Sequence, residues 1–461
     1  MEGPVFERVA VLGGGVAGLV AARVLADHAF EVVLVERDRI SEHPAGPRKG
    51  VPQAWHAHSL LAGGHRALEL LFPGLRSTLQ AAGATTGRGA FHCARGYLEA
   101  GEANSSLFAS RGLLEATLRR RVLALPNLRL RDGWQVNLPP RLRDGRFAAV
   151  ELSRLAGDEN QVMDIDLLVD ASGRASRMSA WLSALGFDPP PIERIPVRMR
   201  YATRHVQRRS EDLGGRSFFS VTPTPNLPRA CAVLAQEGDR WIVTLVGYFG
   251  EQPPDDDKGF LDFARSLPAG DVARLLESAE PSGGIRTFSV PASVRVRYER
   301  ARRLPQGLMV AGDALACLTP VYGQGMTIAA LQGQALQQCL LAGRDGLDAR
   351  FRAAAARVVD MAWTITAGND RALFPGASFT LAQRLRYRWV QRVIAAGHRD
   401  ARVAEDFLCV TRLLRSPASL LRPTMVARVI VTTARLRAAR GPGAQPPAGS
   451  AASVGATGSS R

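Results

Sequence analysis

Lysine is almost missing from this chain of 461 residues. Lys49 and Lys258 are the two lysines among 59 basic residues, so arginine carries nearly all of a net charge of +17. A basic surface can bind nucleic acid or an anionic membrane. The sequence contains neither a basic motif with stacking aromatic residues nor a zinc-finger spacing, and we therefore expect no nucleic-acid partner.

Cysteine is also scarce. The five cysteines are scattered and never form a CxxC spacing, which favours a reducing compartment and predicts no metal centre. The first apolar run leads into glycines rather than into a signal-peptide cleavage site, and no apolar run reaches the ~18 residues of a membrane-spanning helix. We expect a cytoplasmic globular protein, because the apolar content of 46% is ample for a packed core.

The N-terminus carries a strand, a glycine cluster and a helix in direct succession. Residues 8–12 predict a buried strand, and Gly13, Gly15 and Gly18 follow it. In a dinucleotide-binding fingerprint these glycines permit a tight turn, close approach of a pyrophosphate, and close packing of helix on strand. Glu36 ends the next predicted strand, 18 positions after Gly18, where an acidic residue binds a ribose hydroxyl.

A second strand–glycine–helix stretch lies at residues 308–336. A short apolar strand ends at Gly312 and Asp313, and the chain passes Pro320 and a Gly-Gln-Gly turn before a long helix. The strand delivers a carboxylate to the sheet edge, and the glycines let the backbone approach a flat ligand. This arrangement predicts a site for a ligand that is polar on one side and planar on the other. The strand at residues 166–170 similarly ends in Asp170, followed by small residues.

The two stretches and the segment 170–177 together resemble the class A FAD-dependent monooxygenases, which are hydroxylases and epoxidases with a glutathione-reductase-type FAD domain. Within that group the chain is most similar to the bacterial polyether-type FAD epoxidases and their uncharacterised relatives, through residues 51–58, 237–241, 298–300 and 320–326. Two departures occur. Ser172 stands where hydroxylases commonly carry Asp or Ala, and Ala54-Trp55 stands where relatives usually have Gly-Arg.

The resemblance implies an α/β (α+β) fold with a Rossmann-like FAD domain, an inserted antiparallel β-sheet substrate domain and a C-terminal helical region. The FAD domain would be discontinuous, with residues 6–82, 105–185 and 300–345. The substrate domain would comprise residues 83–104 and 186–299, and the helical region residues 346–440. The Gly-, Ala-, Ser- and Pro-rich composition of residues 441–461 predicts a disordered tail.

The resemblance also implies a set of cofactor-binding residues. The FAD pyrophosphate would lie on the N-terminal glycines, the adenosine ribose on Glu36 and the ribityl chain on Asp313. The full set is Gly13, Gly15, Ala17, Gly18, Glu36, Arg37, Arg48, Val51, Arg111, Val136, Asp170, Gly173, Gly312, Asp313, Pro320, Gly323, Gly325 and Met326. His56 and Tyr322 are the catalytic candidates, for substrate orientation or proton transfer, and no metal ligand is expected.

The implied function is insertion of one oxygen atom from O2 into a lipophilic small molecule, by hydroxylation or epoxidation, in secondary metabolism. Reduced FAD would form a C4a-hydroperoxide with O2, and NAD(P)H or a separate flavin reductase would supply the electrons. A flavin-dependent reductase or dehydrogenase of isoprenoid-like substrates and a non-catalytic membrane-associated flavoprotein remain open. Flavin halogenases share the fold, but their WxWxIP segment does not occur in this sequence.

The sequence after residue 346 predicts helices, with an interruption at residues 363–375. Residues 384–402 and 424–440 combine many arginines with apolar positions. Helices of this kind either form solvated faces or lie on an anionic membrane surface. Both alternatives stay open, and the second would place the protein at the periphery of the inner membrane.

Overall fold

The structure is a computed structural model that describes residues 5–40, 48–93, 96–100 and 106–438. The tail predicted at residues 441–461 lies outside the described residues.

The strands are β1 (Phe6–Leu12), β2 (Ala29–Glu36), β3 (Thr85–Thr86), β4 (Gly89–Cys93), β5 (Gly96–Ala100), β6 (Leu107–Phe108), β7 (Leu128–Asp132), β8 (Trp134–Val136), β9 (Arg141–Arg143), β10 (Arg146–Arg154), β11 (Asn160–Asp164), β12 (Leu167–Asp170), β13 (Ile192–Gln207), β14 (Phe218–Val221), β15 (Arg229–Gln236), β16 (Arg240–Gly247), β17 (Pro281–Val296), β18 (Leu308–Val310) and β19 (Ala316–Cys317). The helices are α1 (Val16–Ala26), α2 (Ala62–Leu71), α3 (Leu75–Ala81), α4 (Arg111–Leu123), α5 (Met178–Ala184), α6 (Asp257–Arg265), α7 (Asp271–Ser278), α8 (Gly325–Leu341), α9 (Leu347–Leu373), α10 (Leu381–Gly397), α11 (Ala401–Thr411) and α12 (Pro423–Ala438).

A parallel sheet of five strands, in the order β18-β12-β1-β2-β7, forms the first layer of the fold. Its central strands are rich in valine and leucine and are buried, as expected for a parallel sheet covered by helices on its faces. Leu12 pairs with Asp170, and Asp170 pairs with Val310. This register brings the loops after β1, β12 and β18 to one carboxyl edge, where open α/β sheets bind their ligands.

An eight-stranded sheet, in the order β19-β17-β13-β16-β15-β14-β4-β5, forms the second layer. The pairing of β14 with β4 is parallel, and the other pairings are antiparallel. Helices α6 and α7 pack on it around Phe260, Phe263 and Val272. The predicted inserted antiparallel sheet is therefore present, and the hairpin β4–β5 belongs to it although it precedes the insertion in sequence.

The C-terminal helices pack against both sheets. Helix α9 contacts α8, β13 and β18, while α10, α11 and α12 form a separate apolar cluster with β4 and β5. The predicted interruption at residues 363–375 begins later than expected, because α9 continues without a break to Leu373 and the non-helical segment extends from there to the start of α10 at Leu381. Within the described ranges, no helix is long and apolar enough to cross a bilayer.

Candidate active site

A cavity of about 480 Å³, here called the cleft, opens at the carboxyl edge of the parallel sheet. Its volume is typical of a small-molecule or cofactor site. The predicted cofactor-binding residues that line it are Gly13, Gly15, Ala17, Glu36, Arg37, Arg48, Val51, Arg111, Val136, Gly173, Gly312, Asp313, Pro320, Gly323, Gly325 and Met326. Gly18 and Asp170 belong to the same prediction but lie behind the cleft wall.

The glycines after β1 have different structural roles. Gly13 has a φ of +101°, and a Cβ atom on it would lie 2.4 Å from the carbonyl oxygen of Ala171. A Cβ atom on Gly18 would lie 1.7 Å from the carbonyl oxygen of Gly13. At Gly15 the nearest atom to such a Cβ is 3.8 Å away, in the side chain of Arg48. Gly13 and Gly18 are thus required by packing, whereas Gly15 leaves open space at the N-terminus of α1, which attracts anionic groups.

Arg48 joins three carboxylates beside this turn. Its guanidinium lies 3.1 Å from Glu36 Oε2, 3.0 Å from Asp38 Oδ2 and 2.9 Å from Glu115 Oε1. Burial lowers the pKa of Arg48, but the surrounding carboxylates outweigh it and raise the pKa above its ordinary value. Glu36 also accepts a 2.7 Å hydrogen bond from the amide of Gly14. The cluster therefore fixes the glycine turn, the end of β2 and helix α4 to one another.

Asp170 supports the loop after β12 instead of facing the cleft. It is 1% exposed and accepts hydrogen bonds of 2.5 Å from the hydroxyls of both Ser172 and Ser176. Burial raises the pKa of Asp170. Asp170 therefore shapes the loop from below the cleft, and its place among the predicted cofactor-binding residues stays a prediction. Ser172, which departs from the hydroxylase pattern, supplies one of its hydrogen bonds.

Asp313 lies on the cleft wall, as expected, and pairs with a residue that was not singled out in the sequence. Its Oδ2 atom is 3.5 Å from Nε of Arg174, and the Asp313 side chain remains 32% exposed. Arg174 also lies over the ring of Phe288, 5.9 Å from its centroid. Asp313 and Arg174 both line the cleft. The residues after Asp170 thus bring a cation to the same wall as the Asp313 carboxylate.

The two histidines of the segment after Val51 lie in different places. His56 is buried behind the wall, with Nδ1 2.7 Å from Oγ1 of Thr203, and lines neither this cleft nor the neighbouring cavity. His58 lines the cleft, 3.4 Å from a guanidinium nitrogen of Arg111. Burial lowers the pKa of His56 to about 4, and burial together with Arg111 lowers the pKa of His58 to about 3. His56 thus lines neither cavity in this structure, and its catalytic role stays a prediction.

A second cavity of about 220 Å³, here called the chamber, adjoins the cleft. The two share Ala57, Ser59, Pro320 and Gly323 in their walls. The chamber is lined mainly by apolar and aromatic side chains from the eight-stranded sheet and from α9, α10 and α11. Sequence reasoning placed one wall in the antiparallel sheet but missed the wall made by the C-terminal helices, because those helices are distant in sequence.

Tyr322 lines the chamber and belongs to a buried polar cluster around Asp370 of α9. Asp370 accepts hydrogen bonds from the hydroxyls of Thr319, Ser293 (3.1 Å) and Tyr322 (3.4 Å). Burial raises the pKa of Asp370 to about 6. This places a titratable carboxylate, absent from the predicted set, directly behind the tyrosine that the sequence identified.

The fold is that of the class A FAD-dependent monooxygenases, as its structural neighbours show. The flavoprotein/dehydrogenase from Cytophaga hutchinsonii is 17% identical, has a TM-score of 0.65, and the match covers 94% of this chain and 98% of that one. The p-nitrophenol 4-monooxygenase PnpA from Pseudomonas putida DLL-E4 is 18% identical with a TM-score of 0.63, over 90% of this chain and 100% of that one.

A relative in sequence is protein Rv3254 of Mycobacterium tuberculosis. The two chains are 30% identical over 457 residues, which cover 93% of this chain and 94% of that protein. The chain therefore belongs to the same family as protein Rv3254. No family model matches it.

Proposed function

We propose that the protein is an FAD-dependent monooxygenase that inserts one oxygen atom from O2 into a lipophilic small molecule. The observation that carries the proposal is the direct contact of the glycine-lined cleft with the apolar chamber through Ala57, Ser59, Pro320 and Gly323. Such a pair of cavities holds a dinucleotide cofactor on one side and an apolar substrate on the other. The fold shared with p-nitrophenol 4-monooxygenase supports the reaction class.

The residues of the cleft fit FAD. The open space at Gly15 and the N-terminus of α1 suit a pyrophosphate. The two carboxylate oxygens of Glu36 have about four lone-pair sites, so one stays available for a ribose hydroxyl beside the contacts with Gly14, Asp38 and Arg48. Asp313 offers a partly exposed carboxylate to the ribityl hydroxyls. FAD held there would supply the redox chemistry with O2.

The protein residues would bind the substrate, exclude water and handle protons. The apolar wall of the chamber keeps water from the reacting atoms. His56 and His58 are neutral at pH 7, because their pKa values lie far below it. Above about pH 6 Asp370 is ionised and accepts a hydrogen bond from Tyr322, so it can hold that hydroxyl in one orientation. The source of electrons is proposed to be NAD(P)H or a flavin reductase.

Isotope labelling tests the reaction independently of the natural reductant. The FAD-loaded protein is reduced with dithionite without oxygen and then mixed with 18O2 in the presence of candidate aromatic, polyene and terpenoid substrates. We expect one 18O atom in the product, detected by mass spectrometry. Substrate reduced without oxygen uptake would instead support the reductase or dehydrogenase alternative.

A colourless protein that does not take up added FAD would contradict the whole proposal. Bound FAD without turnover of any lipophilic compound would favour the non-catalytic flavoprotein. Hydroxylation and epoxidation are distinguished in the same experiment, because the position of the label in the product identifies the bond that reacted.

A further inference from the structure

Arg412 is a buried cation on the wall of the chamber. The residue directly follows α11, is 5% exposed, and is one of the residues that line the cavity. Its Nη1 atom is inaccessible to solvent and has no hydrogen-bond partner within the described part of the chain. A buried guanidinium nitrogen with no partner is unfavourable, because its lost hydration is not replaced.

Burial is the largest influence on the pKa of Arg412. Glu405 and Cys409, on the same helix, raise its pKa, but burial has the larger effect and the pKa stays below its ordinary value. Among the described residues, Glu405 is the one carboxylate whose charge acts on Arg412. The position at the C-terminal end of α11 favours a cation in any protein. That general preference does not explain why Arg412 is buried beside a cavity, whereas Arg415 nearby is exposed and pairs with Asp406.

The backbone of Arg412 has a separate structural role. Its carbonyl oxygen accepts a 3.1 Å hydrogen bond from the amide of Gly63, at the start of α2. This contact fixes the end of α11 against the N-terminal half of the fold and does not depend on the side chain. A side-chain substitution can therefore test the guanidinium without removing the contact.

We propose that Arg412 binds the carboxylate of the substrate, so that the chamber selects lipophilic acids over neutral molecules of the same shape. The proposal rests on the function proposed above and specifies its substrate class. A carboxylate satisfies the unpartnered nitrogen and forms a charge-assisted pair with guanidinium, in a wall that is otherwise mainly apolar. Ser220, whose buried hydroxyl also lacks a partner within the described residues, offers a second polar contact in the same chamber.

Calorimetric titration of the FAD-loaded protein with 2-naphthoate and its neutral analogue 2-naphthamide tests the proposal. We expect the wild type to bind the acid about tenfold more tightly or better, the range of a hydrogen-bonded charge pair. Arg412→Met should lose this preference and keep its affinity for the amide. Arg402→Met is the control, since Arg402 is an exposed arginine of the same helix that does not line the chamber.

Equal affinity of the wild type for the two ligands, or no binding of naphthoate at millimolar concentration, overturns the proposal. A preference for naphthoate over naphthamide that persists in Arg412→Met also overturns the proposal. The melting temperature provides the second readout: it should stay level or rise in Arg412→Met, because a buried charge without a partner is removed. A clear fall in the melting temperature would show that the guanidinium is structural. Naphthoate binding does not require turnover. The titration therefore supports or overturns the role of Arg412 even if the labelling experiment detects no product.

Discussion

At the scale of single residues, Gly13 is the position where backbone geometry is most restrictive. We expect Gly13→Ala to lose most bound FAD, because the new Cβ atom would meet a carbonyl oxygen at 2.4 Å and φ is +101°. The left-handed backbone conformation alone, when adopted by alanine, lowers the free energy of unfolding by on the order of 1–3 kcal/mol. The ratio of flavin to protein absorbance after purification measures the loss.

The control for this substitution is Gly157→Ala. Gly157 has a similar φ of +118°, but a Cβ atom there would meet nothing within 4 Å. This variant carries the backbone strain without the steric clash, at a position that does not line the cleft. Equal flavin content in both variants and in the wild type would argue against the importance of the turn at Gly13.

Asp370 predicts a particular pH dependence of stability. Its pKa is raised from 3.8 to about 6 on folding, so between these pH values the folded protein holds a proton that the unfolded chain has released. The free energy of unfolding therefore falls as the pH rises through this window, by about 3 kcal/mol in total, and no longer changes above it.

Asp370→Asn should remove this fall, which urea unfolding between pH 4 and pH 7 would measure. Asp345→Asn, at an exposed position just before α9, is the matched control and should keep the slope of the wild type. Parallel curves for the wild type and Asp370→Asn would contradict the perturbed pKa.

Residues that act through local sequence were predictable, whereas those that act through distant contacts were not. The glycine turn, Glu36 and Asp313 follow strands whose patterns are visible in the sequence, and they line the cleft. Asp370 and Arg412 lie far along the chain, and nothing in their local sequence indicates that Asp370 lies behind Tyr322 or that Arg412 lines the chamber. His56 was the histidine singled out from the sequence, whereas His58 lines the cleft, and the packing of His56 against Thr203 is a tertiary contact that the sequence does not reveal.

At the scale of elements, α9 shows how tertiary contacts override local propensity. A break was predicted at residues 363–375, but the helix runs for 27 residues to Leu373, past Gly368, and the break follows only there. Thr366 donates to Gln324 at 2.8 Å, and Asp370 accepts from the hydroxyls around it. These contacts hold the helix across its glycine.

Gly368→Ala should therefore stabilise the protein. A Cβ atom at this position meets nothing within 4 Å, and alanine in a helix interior is more stable than glycine by about 0.5–1 kcal/mol. Chemical denaturation should show the gain, with unchanged FAD content. A loss of stability would mean that the helix needs the glycine for a local distortion.

At the scale of the whole molecule, the arginines on α10 define a surface that combines positive charge with apolar side chains. Leu381 and Leu385 are 74% and 57% exposed, and Arg384 and Arg388 lie on the same helix. We expect the protein to co-sediment with vesicles containing phosphatidylglycerol at low salt, and to be released at high salt, because screening weakens such attraction. Vesicles of phosphatidylcholine and the variant Leu385→Asp are the controls. Protein that stays in the supernatant at low salt would rule out the membrane contact.

The order of strands in the parallel sheet has a consequence for synthesis on the ribosome. Strand β1 leaves the ribosome first, but the loop that carries Asp313 enters the same edge only after β18, at Leu308–Val310, has paired with β12. The N-terminal fingerprint is therefore made long before the cofactor can be fully enclosed. Nascent chains arrested before this strand should not retain FAD, so cofactor uptake belongs to the last third of translation.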